Sequence, residues 1–246
     1  MDPALITRLE RLGREHGATP YMVLLAAFAA LLGRYARQED VVVGSPVAGR
    51  SLPELDGLVG CFINMLAMRV DLSGDPSFLE LSHRVRDMSM DAYAHQELPF
   101  ERLVSELNVP REVSRSPLFQ VLFAMQNYGG EPSSPGGPVV EGFSPGVWAT
   151  RFDLELYTGG DGSFLFVYNV ALFSAERISR MAGHLSALLE GIAADPSAPS
   201  PPSTCSRLRN RRNGSDGTTP GSTSARTTCC TGRSRSGCRT RLMPSR

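Results

Sequence analysis

Leu5, Leu9 and Leu12 recur at helical spacing among charged residues, and this predicts a helix over residues 4–16 that Gly17 ends. A second helix follows over residues 19–37. Thr19 can cap it, Pro20 suits its first turn, and the run MVLLAAFAALLGRY is apolar nearly all round, which predicts deep burial. Residues 40–44, DVVVG, read as a short β-branched strand. The Pro- and Gly-rich stretch SPVAGRSLPELDGLVG then predicts a loop. It runs into residues 61–72, whose apolar continuity predicts a strand buried on both faces.

Asp75-Pro76-Ser77 opens a further helix to about residue 95, with Leu79, Val85, Met88 and Ala92 among its apolar positions. Leu98-Pro99 opens a shorter one through Leu107, stopped by Pro110. Residues 119–126, 139–143, 152–157 and 163–170 read as strands, with a Gly/Pro/Ser-rich connection over 127–138. Gly159, Gly160, Asp161 and Gly162 supply a hairpin turn between the last two. Ser174 caps a final amphipathic helix to about residue 194, with Ile178, Met181, Leu185, Leu188 and Leu189 on its apolar side. Helices and strands alternate without a repeat. The fold class is α/β (α+β), a mixed β-sheet covered by helices.

Composition changes this picture at one place, the boundary near residue 196. Every basic residue is Arg, and the formal net charge of the chain is zero. Up to Pro196 there are 15 Arg against 24 acidic residues; beyond it there are 10 Arg and one acid, Asp216. Apolar periodicity vanishes there as well. We therefore divide the chain into a globular unit, residues 1–196, and a disordered basic C-terminal tail, residues 197–246. A nucleic-acid-binding or membrane-binding tail is one reading, but the tail has no aromatic residue to stack on bases. A zinc site is a second, but Cys229, Cys230 and Cys238 lack paired spacing and the tail has no His. A GC-rich gene read in a shifted frame yields this composition most directly. No metal, nucleic-acid or membrane partner is expected. No secretory signal precedes the first helix and no apolar run reaches the ~18 residues of a membrane span, so the expectation is a cytoplasmic protein whose folded region begins near Met1.

Three stretches carry the chemistry: VGCFINMLAMR at 59–69, HQELPFE at 95–101 and REVSRSPL at 111–118. In this order and spacing they resemble the C-terminal lobe of a condensation domain from a nonribosomal peptide synthetase. The resemblance spans residues 5–194 and implies a lobe of the CoA-dependent acyltransferase type, related to chloramphenicol acetyltransferase. In that family two similar lobes enclose a tunnel. A peptidyl or acyl thioester and an aminoacyl amine enter it from opposite ends on the phosphopantetheine arms of carrier proteins. The family's His-His-x-x-x-Asp-Gly motif belongs to the N-terminal lobe. Here His16, His83, His95 and His184 are all isolated and none is followed by that Asp-Gly pair, so no residue is assigned as catalytic.

Gly60, Phe62 and Asn64 match the family's Gly-x-Phe-Val-Asn-Thr pattern, with Ile63 for Val and Met65 for Thr. The resemblance makes Asn64, Ser45 and Gly60 candidates for the tunnel wall. Asn64 could orient a substrate amide or pantetheine arm, or it could satisfy neighbouring backbone groups. Arg50 reads as an anchor for its loop through an ion pair. Phe62, Arg69, His95, Gln96, Pro99, Phe100, Arg111 and Arg115 read as structural: Pro99 starts a helix, Phe100 plugs the core, and Arg111 or Arg115 ties a connector to acidic neighbours. Cys61 reads as a small buried hydrophobe, and Asp153 as facing solvent or capping a turn.

The implied partners are peptidyl or acyl carrier proteins, the missing N-terminal condensation lobe, and an adenylation domain downstream. No cofactor is bound directly; phosphopantetheine arrives on the carriers. A fragment without activity of its own is expected. The alternatives are a non-catalytic carrier-docking or assembly module, a related thioester-dependent acyltransferase, and an epimerisation or cyclisation domain of the same fold.

Overall fold

A computed structural model describes residues 2–55, 57–109, 115–126, 148–159, 162–197, 225–228 and 236–242. The expected strand at 139–143 and the connection at 127–138 lie outside these residues.

Helix α1, Pro3–Glu15, is capped by Asp2, whose carboxylate accepts from the Ala4 N–H, and Gly17 follows at φ +67°. Helix α2, Pro20–Ala36, is capped by Thr19 and buries eleven residues, among them Val23, Leu25, Phe28 and Leu31. Its all-round apolar pattern marks it as the centre of the helical layer, as expected. Helix α3, Phe78–Ala94, starts with a capping box in which Ser77 Oγ accepts from Glu80 N–H and Glu80 Oε2 accepts from Ser77 N–H. Its buried stripe is Phe78, Leu81, Ser82, Val85 and Ser89, so Leu79 lies beside the packed face and not on it. Helices α4, Phe100–Glu106, and α5, Ala175–Ala194, complete the set, and α5 packs against α1 and α2.

The strands are β1 Asp40–Val47, β2 Asn64–Asp71, β3 Val121–Gln126, β4 Trp148–Ala149, β5 Leu154–Gly159, β6 Phe164–Asn169, β7 Ala225–Thr228 and β8 Ser236–Leu242. They form one mixed sheet in the order β2-β1-β3-β5-β6-β8-β4, with β7 beside β8. β1 pairs with β3 and β3 with β5 in parallel; β1–β2 and β5–β6 are antiparallel. The helices cover one face. Val41, Val43, Leu66, Met68, Phe123, Leu156 and Phe166 meet them there in a single apolar core. The CoA-dependent acyltransferase-like architecture expected from the sequence is the one observed.

Three differences have physical causes. The strand expected over 61–72 begins only at Asn64, where the β1–β2 register starts opposite Val47. It ends the order of the described strands, and the helices cover one face of the sheet there, so it alternates, with Leu66, Met68 and Val70 buried and Arg69 and Asp71 exposed. Apolar continuity in the sequence does not here mean burial on both faces. Cys61, expected in the core, is an exposed thiol preceding the strand. Finally, no regular structure was expected beyond residue 196, yet β7 and β8 are strands: a bare sheet edge pairs through main-chain groups, which Arg, Ser and Gly carry like any other residue.

Candidate functional site

The first two stretches singled out in the sequence meet at the end of the sheet where β1 gives way to its loop and β2 begins, and Phe119, directly after the third, packs on Phe100 of the second. The connection at 48–63 is held by Arg50. Its guanidinium donates to the carbonyls of Leu55, Leu58 (2.9 Å) and Gly60 (3.5 Å), and stacks over the Phe62 ring at 4.5 Å. The anchor is thus three carbonyls and a ring, and Arg50 makes no ion pair among the described residues, which do not include Asp56 of the same loop. A planar fork satisfies several carbonyls at once, where a carboxylate would offer one centre. Gly49, at φ +65°, makes this fit possible: a Cβ there would lie 1.9 Å from the Phe62 carbonyl oxygen. Gly60 contributes its carbonyl to the same staple.

Asn64 links this loop to the second stretch. Its Nδ2 donates to the carbonyls of Gln96 and Leu98, both at 2.8 Å, and its Oδ1 accepts from the Phe100 N–H at 3.1 Å. Both amide hydrogens and one oxygen lone pair are spent on the corner between α3 and α4. Those backbone groups lie between two helix ends and have no helical partner, so the side chain replaces the missing ladder. His95 is the exposed C-cap of α3, Pro99 the N-cap of α4, and Gln96 is half-buried between them.

Phe100 carries the link inward. Its ring lies 5.3 Å from Phe119, which lies 5.6 Å from Phe152. Phe119 is buried and covers the backbone of Gly44; a Cβ on Gly44 would fall 2.0 Å from the ring. Phe119 directly follows the third stretch. Within that stretch Arg111 lies outside the described residues, and Arg115 is exposed and without an ion pair among them.

Ser45 points to the helical side. It is buried, and its Oγ accepts from Tyr21 Oη at 2.7 Å. Burial pushes the Tyr21 phenol well above its ordinary range, so the hydroxyl stays a donor. Arg69 pairs with Asp40 across β1 and β2, with Nη2–Oδ2 at 2.7 Å, and holds that carboxyl below its usual range. Asp153 is half-buried, and its main chain bridges Gln120 and Asn169.

A polar group that the sequence reading passed over lies on β5. Glu155 is buried, and its two oxygens accept from the hydroxyls of Thr150 and Tyr157, the latter at 2.8 Å. Burial and this carboxylate together raise the Tyr157 phenol, keeping it protonated. Glu155 alternates with Leu154 and Leu156 of the helix-facing core and so belongs to the opposite face. Tyr21, Gly44, Gly49 and Phe119 were likewise missed; only the Gly in AGR carried a signal, because a glycine before an anchoring arginine fits a tight approach.

The stapled loop and the α3–α4 corner together carry a set of exposed apolar side chains. Leu52, Leu58, Val59 and Ile63 of the stapled loop are exposed, Val59 fully, and Leu98 is exposed on the corner that Asn64 holds. No group of three or more metal-ligating side chains occurs among the described residues, and the four histidines are on α3, on α5 and at the ends of α1 and α3. No single described helix is long and apolar enough to cross a membrane.

Comparison with known proteins gives a consistent set. The family model described as "Condensation domain" matches residues 1–206. A linear gramicidin synthase polypeptide of Brevibacillus parabrevis is 48% identical over 200 residues, covering 79% of this chain and 4% of that protein. Phosphinothricin tripeptide synthetase PhsB of Streptomyces viridochromogenes is 45% identical over 197 residues, covering 76% of this chain and 16% of that protein. Among solved structures, the X-domain from teicoplanin biosynthesis superposes with a TM-score of 0.71 at 29% identity, over 80% of this chain and 46% of that one. The condensation domain from the monacolin K polyketide synthase MokA superposes at 0.68 and 23% identity, over 82% and 47%. The chain therefore spans a small part of its curated relatives and just under half of these two solved chains.

Proposed function

The chain belongs to the condensation-domain family, and from that premise we propose that it is the C-terminal lobe of a domain that makes amide bonds between carrier-bound substrates. The amine of an aminoacyl thioester would attack the carbonyl carbon of an acyl or peptidyl thioester. The C–S bond breaks, the thiol of the first phosphopantetheine arm leaves, and the amine gives up a proton. Proximity supplies much of such a rate, and a histidine suits the proton. In this reading the histidine comes from the N-terminal lobe, and the chain supplies the facing wall.

The observation that carries the reading is the coupling of the family's motif residues. Arg50 staples the 48–63 loop, and Asn64 ties the strand after it to the α3–α4 corner. A single rigid surface with exposed Leu58, Val59, Ile63 and Leu98 suits a partner lobe that covers it. We read Asn64 as a positioning residue that acts through the loop and corner, Ser45 as one that fixes β1 to α2 through Tyr21, and Gly60 as part of the loop that would line the tunnel. Carrier proteins bring the phosphopantetheine arms, an adenylation domain follows in the same assembly, and the site of action is the cytoplasm. The condensation reading is favoured over the epimerisation and cyclisation variants by the match at HQELPFE and SRSPL.

The test uses the full chain with and without a separately produced N-terminal lobe bearing His-His-x-x-x-Asp-Gly, and two loaded carrier proteins. The chain alone should give no amide, and the pair should give product. Turnover by the chain alone overturns the reading. Binding to a carrier without product from the pair supports the docking-module alternative instead.

A further inference from the structure

The observation that carries furthest beyond this is the outer edge of β6. On one side β6 pairs with β5 over five residue pairs, from Leu154↔Tyr168 to Thr158↔Phe164. The Asn169 N–H donates to the Asp153 carbonyl, which fixes the alternation: the amides of Leu165 and Val167 also point toward β5, and those of Phe164, Phe166 and Tyr168 point outward. Phe164, Phe166 and Tyr168 are also the side chains that bury against the helices, and Val167 is buried on the other face. The strand is therefore locked in place from both faces and cannot turn its outer amides toward other partners.

Segment β8 meets those amides antiparallel over six residue pairs, Phe164↔Leu242 to Asn169↔Gly237. Its sequence, SGCRTRL, holds one β-branched residue, Thr240, no aromatic residue and two arginines, well short of the apolar content of a core strand. What it brings is main chain. Phe164, Phe166 and Tyr168 stand opposite Leu242, Thr240 and Cys238, so these three pairs exchange their N–H and C=O groups directly.

We infer that the outer edge of β6 is a strand-acceptor site, which takes an extended polypeptide by main-chain hydrogen bonds with little demand on its side chains, and that its occupant is the chain's own 236–242 segment. The chemistry is strand addition to a sheet edge, with the edge and not the incoming sequence setting the register. It does not depend on the proposed role in condensation.

Hydrogen exchange on the full chain tests this residue by residue. Thr240→Pro removes the N–H opposite Phe166 and places a ring in the ladder. The amides of Phe166 and Tyr168 should then exchange at least about tenfold faster, and those of Leu165 and Val167, bonded toward β5, should not change. Thr240→Val keeps the main chain and should leave all four at their original rates. Unchanged protection of Phe166 and Tyr168 in Thr240→Pro overturns the inference. Equal acceleration on both edges also overturns it, because the substitution would then act on the whole sheet. Protection that disappears on dilution, together with a shift from dimer to monomer in size-exclusion chromatography, assigns the edge to a second copy and overturns the choice of occupant.

Discussion

The Asn64 side chain reaches across 34 residues of chain to the Leu98 carbonyl at 2.8 Å, and the same amide closes on Phe100. This ties the first residue of β2 to the corner between α3 and α4, whose own turn bonds, such as Leu98 N–H to the His95 carbonyl, do not reach β2. Asn64→Ala should destabilise the protein by about 1–2 kcal/mol, because it leaves the part-buried Gln96 carbonyl and Phe100 N–H without their partner, while the exposed Leu98 carbonyl can turn to water. Urea unfolding measures this. Asn64→Asp should cost a similar amount, since a carboxylate keeps the acceptor for Phe100 but loses both donors. An alanine variant as stable as the parent would show that water replaces the amide at no cost.

The Arg50 staple predicts a local effect in place of a global one. Arg50→Lys keeps the charge but cannot span three carbonyls and a ring face. Limited proteolysis within residues 51–63 should become at least several-fold faster, with the unfolding midpoint little changed, because the loop holds none of the buried core. Arg50→Ala should behave in the same way. A lysine variant with the parent's cleavage rate would show that charge alone holds the loop.

How much of this was legible in the chain depends on the range of the contact. Helix α2 was legible because a run apolar on all sides has few places to go but the core, and its caps are local. The three stretches and their order were legible as a family resemblance. Asn64 stood out as one amide in an apolar run, but whether it turned to a substrate or to backbone depended on a corner 34 residues away. An arginine in a loop suggests a carboxylate partner, whereas the partners of Arg50 are carbonyls, which every residue has. Cys61 has apolar neighbours in sequence that do not surround it in space. Ser45–Tyr21 and Gly44–Phe119 join residues 24 and 75 positions apart and leave no local trace.

The Gly44–Phe119 contact gives a steric prediction. Gly44→Ala introduces a methyl where the Phe119 ring already lies, so the buried ring or β1 must shift. The expected cost is about 1–3 kcal/mol, read as a lowered melting temperature. Phe119→Leu in the same chain should return part of it, since a shorter side chain vacates the space. Non-additivity in that double-mutant cycle is the decisive measurement. Simple addition of the two losses would mean that the glycine is needed for some reason other than the ring.

Acid sensitivity should arise from His184, whose Nδ1 lies 2.7 Å from Tyr35 Oη and joins α5 to α2. Burial, with a smaller effect from Arg180, lowers its pKa below the ordinary histidine value. The sign follows from proton counts. Below about 6.5 the unfolded chain binds a proton at this ring before the folded chain does, so stability falls as pH drops through that value and toward the lowered folded one. Above it the contribution is constant. Asp40 acts in a lower window: its pKa is depressed by Arg69, so its contribution is present above the ordinary aspartate range and is lost as pH falls through the depressed value. His184→Asn should remove the higher step and leave the lower one; Asp40→Asn should reduce the lower one, to which Asp71 and Glu80 also contribute through their depressed carboxyls, and leave the higher. Chemical denaturation midpoints followed from pH 8 to pH 3 separate the two, and a His184→Asn profile that still falls between pH 7 and pH 5 by as much as the parent's would remove His184 as its source.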